Sequence, residues 1–219
     1  MNINEYILKE IKALTLQSTI KSAQNICKEL PITHIPVVEN NKLIGCLPES
    51  DVQTIENKNR ELKEYTYLFD HFHTNVKATL LDLITLFADN DTNLIPVLDN
   101  DQNYIGYYEL SDILDAFADS PFLHNESNTI IVEKNKDDYS MSEISQIVET
   151  NNGKLLGMYI SSQENDITRV TLKVIAKQIN EIIQTFRRYN YNVVTQHEDD
   201  VYLEDLKNRS EYLKKYLDM

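Results

Sequence analysis

The sequence has little glycine. Of 219 residues, only Gly45, Gly106, Gly153 and Gly157 are glycine. Four isolated glycines cannot build a glycine-rich phosphate loop or a dinucleotide-binding turn, so both of those nucleotide motifs are excluded. Tryptophan is absent, and cysteine is limited to Cys27 and Cys46. The two cysteines form no Cys-x-x-Cys pair and stand beside no metal-ligand set. They read as small core residues in a reducing compartment. Positive charge is also short, with 21 Lys and Arg against 35 Asp and Glu, a net charge of −14. The deficit is uneven. Residues 1–120 carry 9 basic and 19 acidic side chains (−10), and residues 121–219 carry 12 and 16 (−4). Such a surface repels nucleic acid and anionic lipid, and it aids solubility. No apolar run approaches the roughly 18 residues that a membrane span needs. The start, Met1-Asn2-Ile3-Asn4-Glu5, has neither the basic nor the apolar region of a signal peptide. A cytoplasmic protein with no nucleic-acid partner and no membrane partner is expected.

What the sequence does contain is a repeat. Ile35-Pro36-Val37-Val38-Glu39-Asn40 returns sixty positions later as Ile95-Pro96-Val97-Leu98-Asp99-Asn100. Ile44-Gly45 and Ser50-Asp51-Val52 return sixty-one positions later as Ile105-Gly106 and Ser111-Asp112-Ile113. The one-residue slip falls in the turn between the two motifs. Two copies of one unit can pack about a pseudo-twofold axis and share a cleft.

The first unit begins near Leu14. Thr19 caps a helix whose apolar positions Ile20, Ala23, Ile26, Cys27 and Leu30 follow the helical period, and Pro31 ends it. His34 to Val38 and Leu43 to Leu47 form a hairpin. Ser50 or Asp51 caps the next helix. The second unit repeats this order from Thr79, with Ser111-Asp112 opening its last helix. Glu56 to Tyr67, polar and charged, joins the two. The pattern changes after Pro121–Asn128. Ile130-Ile131-Val132 is a strand, Met141 to Val148 a helix, and two alternating strands follow. A helix through Ile182 and Phe186 and a strand at Tyr191–Val194 complete the order βαββαβ, the split-βαβ arrangement of an α+β domain. Leu203, Leu206, Leu213 and Leu217 suggest a terminal helix. The expected domains are residues 1–60, 61–122, 128–199 and 200–219.

The two repeats resemble CBS domains, which occur in tandem as a regulatory module. The resemblance rests on Thr33-His34-Ile35-Pro36-Val37-Val38-Glu39 and Asn93-Leu94-Ile95-Pro96-Val97-Leu98-Asp99, each preceded by a helix. It rests also on Ile44-Gly45 with Asp51 and Ile105-Gly106 with Asp112. It covers about residues 10–120. The last ninety residues are similar in element order to an ACT-type regulatory domain, although Lys136 to Ser140 stands where that family has a glycine turn. The combination is similar to bacterial acetoin-utilisation-type CBS proteins. It implies an α/β regulatory protein, a pseudo-twofold CBS pair followed by a ferredoxin-like ACT-like domain, and a sensor of adenine-containing ligands rather than an enzyme. Adenosine, AMP, ATP with Mg²⁺ and S-adenosylmethionine are the implied regulatory ligands, and a homodimer is the implied assembly.

The resemblance also implies a ligand-binding set: Thr33, His34, Ile35, Pro36 and Asp51 from the first repeat, and Asn93, Ile95, Pro96 and Asp112 from the second. In the family the matching aspartates accept hydrogen bonds from ribose hydroxyls, and a carboxylate can take two donors at once. The alternative for Asp51 and Asp112 is a plain helix cap. The hydroxyl that the family places three residues earlier, against phosphate, is replaced by Pro48 and Glu109. Proline has no donor and glutamate repels phosphate, so a neutral or cationic adenosyl compound suits these clefts better than a free polyanion. The departures also leave open an adaptor whose clefts are empty, and amino-acid sensing by the ACT-like domain is a further alternative. His71 and His73, beside Asp70, can share one face of a strand as metal ligands do. The other reading makes them polar linker residues, and no third ligand stands near. Arg187-Arg188 ends a helix, where cations offset the dipole.

Overall fold

The computed structural model of the protein describes residues 2–123 and 126–194. The expected terminal helix lies outside the described residues. The chain divides into two compact units, Met1–Ala118 and Asp119–Met219.

The first unit holds both repeats. Helix α1 (Ile20–Glu29) leads to strands β1 (His34–Glu39) and β2 (Lys42–Pro48) and helix α2 (Glu49–Thr54). A two-residue strand, β3 (Thr74–Asn75), precedes α3 (Leu80–Asp89), β4 (Leu94–Leu98), β5 (Tyr104–Glu109) and α4 (Leu110–Ala118). Thr19 caps α1 by accepting the Ser22 N–H. Thr79 caps α3 in a reciprocal box with Asp82. Each hairpin is antiparallel with a bulge at the matching place, after Val37 and after Val97, opposite Gly45 and Gly106. Each gains a parallel neighbour, Leu14 beside Val37 and Thr74 beside Val97.

The turns explain the slip in the repeat. Asn40 and Asn41 both have positive φ (49° and 63°), the two-residue turn that suits the twist of a hairpin. The second turn is one residue longer. There the Asp99 carboxylate accepts the N–H groups of Asp101 and Asn103, each at 2.8 Å.

The segments before the repeats do more than link them. The chain at Leu8, ahead of the first repeat, pairs with Tyr107 of β5 in the second. The chain at Asp70, ahead of the second repeat, pairs with Cys46 of β2 in the first. These two straps are related by the same pseudo-twofold as the repeats. They explain the repeated glycines. A Cβ on Gly45 would lie 2.9 Å from Phe69 Cβ, and one on Gly106 would lie 2.3 Å from the Leu8 carbonyl oxygen. The connecting segment is also less polar in its role than its composition suggests. Leu62 is fully buried, and its N–H donates to the Ser18 carbonyl.

The cores follow this exchange. The first surrounds Ile20, Ile35, Val37, Leu47 and Val52 and takes in Leu94 and Tyr107 from the second repeat. The second surrounds Leu83, Phe87, Ile95, Val97 and Ile113 and takes in Cys46 from the first.

The second unit contains β6 (Asn128–Asn135), α5 (Met141–Thr150), β7 (Lys154–Glu164), β8 (Ile167–Ile175), α6 (Ile179–Arg188) and β9 (Asn192–Val193). This is the expected element order. The four strands form one antiparallel sheet in the order β7-β8-β6-β9. Its core joins Ile130, Val132, Leu172 and Val174 to Ile144, Ile147 and Val148 of α5 and Ile182 and Phe186 of α6. Lys134 ties β6 to α5 through Glu143 (2.9 Å) and lies 4.2 Å from the centre of the Tyr191 ring. Arg169 Nε donates to Glu133 across the sheet at 2.8 Å. Among the described residues, no helix is long and apolar enough to cross a membrane.

Candidate functional site

The two repeats meet at Thr33 and Asn93, the residues just ahead of β1 and β4. The Thr33 N–H donates to Asn93 Oδ1 at 2.9 Å, and the Thr33 hydroxyl reaches the same oxygen at 3.1 Å. In return the Asn93 N–H donates to Thr33 Oγ1 at 3.0 Å. Asn93 Nδ2 donates to the Pro31 carbonyl at 2.6 Å, and Thr92 Oγ1 lies 3.1 Å from Thr33 Oγ1. The two side chains therefore form a clasp between the repeats. The resemblance implies a ligand-facing role for both; in the structure their polar atoms bond each other.

The backbone of the clasp also starts the two helices that carry the aspartates. The Glu49 N–H donates to the Thr33 carbonyl (2.8 Å), and the Leu110 N–H donates to the Asn93 carbonyl (3.0 Å). This corrects the expected helix starts. Helix α2 begins at Glu49, its N-cap is Pro48, and no side chain caps it. Helix α4 begins at Leu110. A main-chain carbonyl satisfies one N–H at each start, and Ser50, Asp51, Ser111 and Asp112 lie past the cap position. Asp51 and Asp112 lie inside the first turns instead. Both are half-buried. Among the described residues, neither carboxylate accepts a hydrogen bond or joins an ion pair.

The other candidates sit deeper. Ile35 and Ile95 are fully buried in the two cores, and Pro36 and Pro96 are buried beside them. His34 is 7% exposed. Its Nδ1 lies 3.0 Å from Thr33 Oγ1 and its Nε2 lies 3.2 Å from Asp70 Oδ2. Its ring meets Phe72 edge-on at 5.2 Å between centroids. His34 thus connects the clasp to the Asp70 strap. The sequence signal for that connection is faint, because His34 and Asp70 are 36 positions apart and their neighbours show no alternation.

Acidic groups dominate the surroundings. Burial pushes the Tyr107 hydroxyl above its usual range, and Glu10, Glu109 and Asp112 push it further. Burial, then Glu49, raises the Cys27 thiol to about 11. Cys46 is buried and its thiol is raised by burial and by Asp70, so both cysteines stay protonated at neutral pH. The arrangement suits hydrogen-bond donors with little negative charge.

His71 and His73 line a single cavity. No group of three or more His, Cys, Asp or Glu among the described residues is placed to hold a metal ion.

The model of the CBS domain family matches residues 3–55 and 71–119. An uncharacterized protein of Methanocaldococcus jannaschii is 25% identical over 114 residues, covering 52% of this chain and 43% of the relative. Inosine-5'-monophosphate dehydrogenase of the same organism is 27% identical over 112 residues, covering 51% and 22%. The chain spans less than half the length of either relative. Among solved structures, a CBS domain pair/ACT domain protein from Thermotoga maritima superposes with a TM-score of 0.48 at 13% identity. That superposition covers 53% of this chain and 96% of the other. CBSX2 in complex with AMP superposes with a TM-score of 0.46 at 15% identity, covering 53% and 95%.

Proposed function

We propose that the N-terminal half, a tandem CBS domain pair, is a non-catalytic sensor that binds an adenosyl-type small molecule between its repeats. One observation carries this reading. Asp51 and Asp112 are half-buried, unpartnered carboxylates at pseudo-symmetric positions, each on a helix that starts from the clasp. Both carboxylates keep contact with solvent, so their acceptor positions are open to a ligand, and vicinal ribose hydroxyls would supply matching donors.

The same geometry narrows the ligand. The clasp engages Thr33 and Asn93, and Pro48 and Glu109 stand where a phosphate would need donors. The half-chain charge is −10. Adenosine or S-adenosylmethionine should therefore bind more tightly than metal-free ATP, and ATP would need Mg²⁺. Calorimetry with these ligands tests the reading. Asp51→Ala is expected to weaken adenosine binding about 10- to 100-fold, the loss of charge-assisted hydrogen bonds worth roughly 1.5–3 kcal/mol. Unchanged affinity in that variant, or tighter binding of metal-free ATP than of adenosine, would refute it.

The second unit we read as an ACT-like regulatory domain of ferredoxin-like topology. Its βαββαβ order and its strand order support this. The polar stretch Lys136–Ser140, in place of a glycine turn, argues against amino-acid binding there. We read the assembly as a cytoplasmic homodimer. Edge strand β7 exposes Tyr159 and Ile160, while Leu81 and Leu114 are exposed on α3 and α4. Open strand edges and apolar helix faces favour pairing. Light scattering should give twice the chain mass of 25.5 kDa at micromolar concentration; the mass of a single chain would refute it. The second functional reading is an adaptor with empty clefts. The engaged clasp favours it, and it would be upheld if none of the adenosyl ligands bound.

A further inference from the structure

A cavity of about 310 Å³ opens between the Asp70 strap, the start of β2 and the turn end of the second hairpin. None of the nine cleft candidates lines it. Its apolar walls are Leu43, Ile44, Phe72 and Leu98, of which Phe72 and Leu98 are buried. Its polar lining includes Lys42, His71 and His73. No carboxylate lines it, although the surrounding half-chain has twice as many acidic as basic side chains. Two of the five histidines of the protein and one of only nine basic residues in that half converge here.

The cationic side chain is placed rather than loose. Lys42 Nζ donates to the Asp101 carbonyl, which leaves two further ammonium donors. The acidic group that feels its charge is Asp99. That carboxylate is turned into its own loop, where it accepts the Asp101 and Asn103 N–H groups and the Asn103 side-chain amide. The other acidic groups nearby are Glu39, paired with Lys42 across β1 and β2, Asp101, whose carbonyl Lys42 bonds, and Asp70, which bonds His34.

The cavity is not a by-product of the repeat. The pairing of Leu8 with Tyr107 and of Asp70 with Cys46 sets the correspondence between the straps. Lys9, Glu10 and Ile11 therefore match His71, Phe72 and His73, and Asn103 matches Lys42. The second copy has neither the histidine pair nor the cation at the turn. The constellation is found on one side only, where Phe72 backs the cavity and touches the His34 ring on the way to the clasp.

We propose that this cavity is a separate ligand site for a small organic anion, a carboxylate carried on an apolar or aromatic body. The apolar walls bury the body, Lys42 and the imidazole N–H groups bind the carboxylate, and the volume limits the ligand to one ring or a short chain. Two histidines without a third ligand do not make a closed metal centre.

The test uses the full chain and two probes of one shape, sodium benzoate and uncharged benzamide. In ¹H–¹⁵N spectra, benzoate is expected to give saturable shifts at Gly45 and Leu98, with benzamide at least about tenfold weaker. Lys42→Met keeps the length and removes the charge, and it should weaken benzoate about tenfold, the loss of one charge-assisted bond. It should leave the adenosine affinity of the clefts unchanged, which separates this site from the other. Because Lys42 is exposed, the variant should also keep the wild-type spectrum outside the cavity. Benzamide binding as tightly as benzoate, no effect of Lys42→Met on benzoate, or no saturable shift at Gly45 would overturn the proposal.

Discussion

Two glycines decide how closely the repeats approach. Gly106 has φ of +150°, a conformation that side chains rarely adopt, and the Leu8 carbonyl occupies the space a Cβ would need. Gly106→Ala should therefore lower stability by about 3 kcal/mol or more, through backbone strain and overlap together. Gly45 has only the overlap, against Phe69 Cβ and the Asp70 carbonyl, so Gly45→Ala should cost about 1–3 kcal/mol. Urea titration checks both, and equal effects would contradict the structure. The clasp can be measured in the same way. Thr33→Val leaves the Asn93 N–H without its acceptor and Asn93 Oδ1 with the Thr33 N–H alone, and should cost about 1–2 kcal/mol. Because both residues share these bonds, Thr33→Val and Asn93→Ala should be less than additive when combined. At this scale the sequence was only partly legible. The repeated Gly and Asp stand out by position, and Asp51 and Asp112 do lie at helix starts. The partners do not stand out, because Thr33 looks the same whether its hydroxyl meets a ligand or Asn93.

Elements were read more securely where a period supports them. The hairpins and the helices after Thr19 and Thr79 carry alternation, a 3.6-residue period and capping hydroxyls. The straps carry none of these. Leu8-Lys9-Glu10 and Asp70-His71-Phe72 are defined by the strand they cross, and no local pattern encodes a partner about 24 or 99 positions away. Strand β3, only two residues long, is hidden for the same reason. In the second unit, two ion pairs link elements that periodicity identifies only one at a time. Lys134 and then Tyr191 hold the Glu143 carboxyl below the usual range, and Arg169 and then Asn192 do the same for Glu133. A carboxylate lowered in the folded state adds stability above its unfolded value of about 4.3, and that contribution fades as pH falls through the folded value. Calorimetry should show the melting of this unit steady from pH 7 to about 5 and falling below that. Glu143→Gln should lower it at pH 7 and flatten the acid limb; an acid limb identical to wild type would contradict the assignment.

For the molecule as a whole, the repeat announces two similar halves but not how they depend on each other. That dependence lies in the crossed straps. The segment at Leu8 completes the sheet of the second repeat and the segment at Asp70 completes the sheet of the first, so each half lends the other an arm. The smallest object that closes all its strands is the pair, so neither half should fold alone. A polypeptide severed between Lys58 and Asn59, both exposed, would yield two pieces that each lack a strand which only the other carries. Expressed together they should copurify and regain the melting transition of the intact unit, whereas expressed singly each should be insoluble or unfolded. The same crossing describes how such a protein could arise. One short chain that exchanged arms with its twin would already have this architecture, and fusing the two genes end to end would add only the connection.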